Sequence, residues 1–174
     1  MILKYSKITR FLHWITAILV IALFVSGWYM VELDYYSNWY QTLPELHILG
    51  GVILLLLWLF VLLRLFRTNK NNFSQPHKPF ERFAAQWVKR LFYVLVVVMV
   101  TTGYLIATGQ GEALLLFETI KLPALSHFSA TQIDTMGWVH EYTSYLLIGL
   151  VVLHAFGALK HHFIDKDDTL KRMT

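Results

Sequence analysis

The feature that most limits what this chain can become is a set of four long apolar runs, at about 11–31, 46–63, 91–108 and 138–159. The first two contain no Asp, Glu, Lys or Arg; the third follows Lys89 and Arg90, and the fourth carries Glu141 close to its start. Crossing roughly 30 Å of hydrocarbon takes about 20 such residues in a helix. The runs are continuous rather than alternating, which points to helices and not to a membrane barrel. None is short enough, or ends in a small-residue cleavage site, to read as a removable signal peptide. Apolar residues make up 56% of the 174 and charged residues 15%, against about 25% charged in a soluble domain. A soluble monomer could not hide that much apolar surface, and a disordered chain would not contain it. With no cysteine, disulfides, thiolate metal sites, iron–sulfur clusters and covalently attached haem are all excluded.

Charge in the loops orients the spans. Lys4, Lys7 and Arg10 precede the first. Arg64, Arg67, Lys70, Lys78, Arg82, Lys89 and Arg90 lie between the second and third, and Lys160, Lys166, Lys171 and Arg172 follow the fourth. Of 15 basic residues only Lys121 falls on the other side, which carries Glu32, Asp34, Glu45, Glu112, Glu118, Asp134 and Glu141. The positive-inside rule then predicts cytoplasmic termini and a cytoplasmic middle loop. The net charge of +4 reflects topology and not a nucleic-acid footprint, so the expected partner surface is the lipid bilayer. The expectation is one all-α domain over 1–174, an integral membrane antiparallel four-helix bundle with helices at about 8–31, 45–66, 86–108 and 138–162. The 68–79 stretch reads as a turn-rich connector. The 109–137 loop is longer than a turn requires, and its 113–117 segment is expected to lie along the outer interface and cover what is below it. No internal repeat is evident.

The chemistry is carried by histidines. Of eight, His13, His47, His140 and His154 fall at or within span ends, where ionisable groups are costly and mark function. Any one alone is as readily a satisfied interhelical hydrogen bond, but four form a pattern. His140 and His154 are 14 residues apart, close to four turns, so they share a face at depths about 21 Å apart. With alternating span direction, His13 joins His154 at the inner level and His47 joins His140 at the outer. Two imidazoles facing each other from different helices in an apolar bundle suit the axial positions of a non-covalent b-type haem. Zinc or copper would gather about four ligands at one depth. Gly50 and Gly157, each three residues after a histidine, and Gly27, 14 after His13, would let a flat macrocycle approach; as isolated features they equally suit ordinary helix contacts. His77 and His127 read as solvated loop residues. His161 and His162 read as partners of headgroups or haem propionates, and Lys7, Arg10, Arg67 and Lys160 as further inner propionate candidates. Trp14, Trp28, Trp39, Trp58 and Trp138 read as interface belt and packing. The third span reads as a wall that supplies no ligand.

Lys4-Tyr5-Ser6 followed by His13-Trp14, His47 opening the second span, and a closing stretch complete the pattern. That stretch runs His140, His154, His161-His162-Phe163, Lys166-Asp167, Thr169-Leu170 and Arg172-Met173. Taken together, these residues resemble the bacterial cytochrome b561 family from end to end. The resemblance implies a multi-pass inner-membrane cytochrome with two b haems, ligated through His13, His47, His140 and His154. Family members can also carry histidines at the start of helix three, where this chain reads Gln86-Trp87-Val88-Lys89. The resemblance further implies an oxidoreductase exchanging electrons with the quinone pool, and superoxide oxidation at the outer face with ubiquinone as acceptor. Lys121 is placed to draw an anionic donor, or is simply a solvated lysine. With both axial positions of each iron filled, electrons would move through haem edges. Two other readings remain open here: a cytochrome subunit anchoring a larger dehydrogenase or hydrogenase, and a haem-free assembly factor or transporter. The second would need intramembrane polar residues, which apart from His and Thr the spans hardly offer.

Overall fold

A computed structural model describes residues 4–67 and 78–174, with the side chains of 65–67 also outside the described set. Most of the 68–79 connector, His77, Lys70 and the Arg67 side chain therefore lie outside the described residues. The described chain is mostly helical: α1 (Lys7–Met30), α2 (Thr42–Arg67), α3 (Pro79–Ala107) and α4 (Ala130–Phe163), with a short hairpin, β1 (Leu114–Leu116) and β2 (Ile120–Leu122), between α3 and α4. All four helices are long and apolar enough to cross a membrane.

Local chemistry sets their ends. The Ser6 hydroxyl accepts from the Thr9 N–H and caps α1. Pro79 opens α3, where a missing N–H costs nothing, and the Glu81 carboxylate accepts from the Lys78 N–H. Ser129 and Gln132 form a reciprocal capping box at the start of α4. These caps lie upstream of the hydropathic spans, so α3 and α4 begin at 79 and 130 rather than near 86 and 138. At 34 residues, α4 is about 51 Å long and overreaches a hydrocarbon core of about 30 Å.

Helix α1 packs on α2, α2 on α3, α3 on α4, and α4 back on α1. The buried core is one aliphatic layer formed by Val20, Leu54, Leu95, Val96, Leu147 and Leu150. Val20 and Leu54 each lie seven residues from a span histidine on their own helix, and Leu147 lies seven from both His140 and His154. The tight layer is thus at mid-depth, about 10 Å from either histidine level.

At one end of the molecule the two ends of the described chain meet. The Tyr5 N–H donates to the Arg172 carbonyl at 3.1 Å, Trp14 Nε1 donates to the Met173 carbonyl at 3.0 Å, and the Arg10 guanidinium donates to Thr174 O. At the other end the 113–117 segment supplies strand β1, antiparallel to β2 with Leu115 opposite Lys121. Phe117 and Glu118 both take positive φ in the connecting turn, as a hairpin of this hand requires. Leu116 is fully buried and anchors the strand. The loop is also pinned at its base, where His127 Nδ1 bonds the Gln110 carbonyl at 2.8 Å and the Phe128 N–H bonds the Gly109 carbonyl.

Candidate functional site

Helix geometry brings the four span histidines into two facing pairs. The His13 and His154 rings, from α1 and α4, have centroids 6.1 Å apart with planes at 67°. The His47 and His140 rings, from α2 and α4, are 6.3 Å apart at 70°. His13, His47 and His140 are partly buried, while His154 has an exposed face and meets Phe92 edge-on at 5.8 Å.

The His47–His140 pair is held from behind. Ser26 Oγ lies 3.0 Å from His47 Nδ1, and its O–H reaches the Leu23 carbonyl at 3.0 Å. Thr102 Oγ1 lies 2.9 Å from His140 Nδ1, and its O–H reaches the Val98 carbonyl at 2.7 Å. Directly after each hydroxyl comes a glycine whose missing side chain makes room for the same ring. A Cβ on Gly27 would stand 3.0 Å from His47 Cε1, and one on Gly103 would stand 3.1 Å from His140 Cε1. A cavity of about 190 Å³ lies beside His47, lined by Leu19, Ala22, Leu23, Ser26, Leu46 and Gly50. Its polar lining is the Ser26 hydroxyl and the His47 ring.

Other residues are placed differently from the sequence reading. Gly50 receives Leu23 from α1, whose Cδ2 would stand 2.9 Å from an added Cβ, so it serves helix packing; Gly157, by contrast, faces open space with nothing within 4 Å, in keeping with the room expected there. Lys160 is committed to ion pairs, at 2.6 Å to Glu81 and 2.8 Å to Asp165, and His161 bonds Asp165 and Asp167 at 2.9 and 3.0 Å. Arg10 Nε, His162 Nδ1 and Trp58 Nε1 are buried nitrogens without a partner among the described residues. Trp58 packs against the core layer and edge-on to Tyr93 at 6.3 Å. Sequence reasoning missed Ser26, Thr102 and Gly103 and treated α3 as a passive wall. The available signal was a short internal echo, Ser26-Gly27 on α1 and Thr102-Gly103 on α3.

What could two imidazoles hold? Among the described residues, the one grouping of three or more metal-binding side chains is His161, Asp165 and Asp167; neither span pair belongs to it. Two donors fall short of the four that a bare zinc ion collects. They suit an iron that arrives with four nitrogens of its own. Two metal–imidazole bonds of about 2.0 Å, with each ring centre about 1.1 Å behind its nitrogen, place the centroids about 6.2 Å apart, close to both observed separations. The residues present fit a b-type haem at each level.

This arrangement defines a membrane protein of four apolar helices with paired histidines, the cytochrome b class. Residues 4–174 match the sequence profile of prokaryotic cytochrome b561, and the chain belongs to that family. It is therefore a bacterial membrane protein of electron transport in a family that carries b-type haem. It is 38% identical to cytochrome b561 homolog 2 of Escherichia coli (strain K12), over 98% of this chain and 90% of the relative. Cytochrome b561 homolog 1 of the same organism is 25% identical, over 98% and 96%. A protein of Yersinia pestis named probable superoxide oxidase CybB is 26% identical, over 98% and 95%.

Proposed function

We propose that the chain is a two-haem cytochrome of the bacterial inner membrane that carries electrons between its outer face and the quinone pool. His13 and His154 hold the inner haem iron, and His47 and His140 the outer. The helices form an antiparallel bundle with both termini cytoplasmic. Support for this orientation is the concentration of 14 of 15 basic residues at one end and the meeting of residues 5–14 with 172–174 there. The observation that carries the reading is the repeated imidazole spacing of 6.1 and 6.3 Å, at two levels about 21 Å apart along α4.

When bound, each haem supplies a reversible one-electron iron couple. The chain supplies everything that positions it. His13 with His154, and His47 with His140, would hold each iron between two imidazoles, and the chemistry supplied there would be electron transfer rather than O₂ binding. The layer of Val20, Leu54, Leu95, Val96, Leu147 and Leu150 keeps water from the space between the levels. Arg10 Nε and His162 Nδ1, buried and without a partner among the described residues, lie on the side of the inner pair and are suited to receive propionate oxygens. Lys160 is spent on Glu81 and Asp165, which argues against it in that role.

Superoxide is the donor we favour, with ubiquinone as acceptor. A relative bears the name of a probable superoxide oxidase, and exposed Lys121 on β2 is the one cation of the outer loop. Two superoxide anions each lose one electron to become O₂, and one quinone takes both electrons with two protons to become quinol. The test is a reduced-minus-oxidised spectrum of purified protein with haem counted per chain, for wild type, His13→Ala and His47→Ala. Two low-spin haems, with one retained in each variant, are expected. One haem or none in the wild type would refute the reading.

A further inference from the structure

We infer that Ser26 and Thr102 are a matched pair of positioning residues that fix both outer histidines in the Nδ1–H form and aim their Nε2 lone pairs at one point between them. The inference rests on the proposed outer haem and adds to it the side chains that tune the iron.

The argument is one of donors and acceptors. Each hydroxyl has a single hydrogen. If Ser26 gives it to the Leu23 carbonyl, its oxygen is left to accept from His47 Nδ1–H, and the distances of 3.0 and 3.0 Å suit both bonds. Thr102 repeats the relay, from His140 Nδ1–H at 2.9 Å and onward to the Val98 carbonyl at 2.7 Å. The opposite arrangement would have each hydroxyl donate to Nδ1. Both rings would then carry Nε2–H toward each other, with no acceptor bonded to either Nε2 among the described residues and no lone pair left for a metal. In the first arrangement every N–H and O–H is used, and both Nε2 atoms keep lone pairs for a metal.

The relays come from the two helices that contribute no outer histidine, α1 behind α2 and α3 behind α4. Each sits one residue before the glycine that admits the ring it holds. His13 and His154 have no such hydroxyl among the described residues. The inner and outer levels thus differ in how firmly their ligands are oriented. An acceptor on Nδ1–H adds electron density to the imidazole and favours ferric iron, so these hydroxyls hold the outer potential down.

The test is a potentiometric titration of the purified membrane protein, following each haem separately. The variants are Ser26→Ala, Thr102→Val, the double variant, and the hydroxyl-keeping Ser26→Thr and Thr102→Ser. The His13→Ala protein marks which potential is the outer one. Each hydroxyl-removing variant is expected to raise the outer potential and broaden its low-spin resonance signal, leaving the inner potential in place. The hydroxyl-keeping variants should stay close to wild type. Thr102→Val is nearly isosteric, so loss of packing alone does not mimic the effect. If wild type lacks an outer haem, both this inference and the proposed function fail. If two haems are present and neither potential moves, or both move equally, the positioning role alone is overturned.

Discussion

The substitution Gly27→Ala puts the close approach at the outer pair to a quantitative test. The new methyl would stand 3.0 Å from His47 Cε1 and 3.5 Å from its Nδ1, whereas carbon atoms rest about 3.5–4.0 Å apart. The ring must retreat by about 0.5 Å. Retreat pulls Nδ1 from the 3.0 Å bond to Ser26 toward about 3.5 Å, outside the usual N–H···O range. Forcing an extra methyl into such a contact costs about 1–3 kcal/mol. Alanine also gains about 1 kcal/mol of helix propensity over glycine, which would hide part of the damage in a single variant. Gly149→Ala on α4 is the matched control, since it makes the same propensity gain and meets nothing within 4 Å. The difference between the two variants isolates the clash. At 1.4 kcal/mol per factor of ten, outer-haem affinity should fall about 5- to 150-fold relative to the control. The assay is transfer of haem from detergent-solubilised protein to an excess of a haem-scavenging globin, followed by absorbance. Equal loss of outer haem from Gly27→Ala and Gly149→Ala would refute the idea that this face of α1 is shaped by the histidine.

Gly103→Ala, with its methyl 3.1 Å from His140 Cε1, should reproduce the defect from the opposite side, and the two together should leave the inner haem in place by spectrum. Leu54→Ala, in the layer between the two levels and 4% exposed, should destabilise the protein by about 2–5 kcal/mol, measured as a lowered midpoint in thermal unfolding in detergent. Leu116→Ala removes the fully buried anchor of the outer hairpin and should speed proteolytic nicking within 113–122 while the haem spectrum persists. Lys121→Glu reverses the one cation of the outer loop. It should slow reduction by superoxide and flatten the salt dependence of the rate, and an unchanged rate at low salt would remove Lys121 from the donor path.

Much here is legible without coordinates because it is local or periodic. The length and continuity of the apolar runs call for four helices, and the one-sided basic residues support the proposed direction of each. The 14-residue interval between His140 and His154 places two imidazoles on one face at two depths. What sequence could not give is the rotation of one helix against its neighbour, which decides which side chain on α1 or α3 stands behind a histidine on α2 or α4. Ser26 and Thr102 look like unremarkable small polar residues near span ends until packing puts their oxygens 3.0 and 2.9 Å from Nδ1. Gly50 and Gly27 look alike in the string, yet one admits Leu23 and the other a histidine ring. The hairpin was hidden because Phe117 and Glu118 adopt positive φ without the Asn or Gly that normally announces it; burial of Leu116 stabilises a turn its own residues disfavour. Periodicity along a helix is written in the order of residues. Contact between helices depends on how their surfaces interlock, and only the folded chain fixes that.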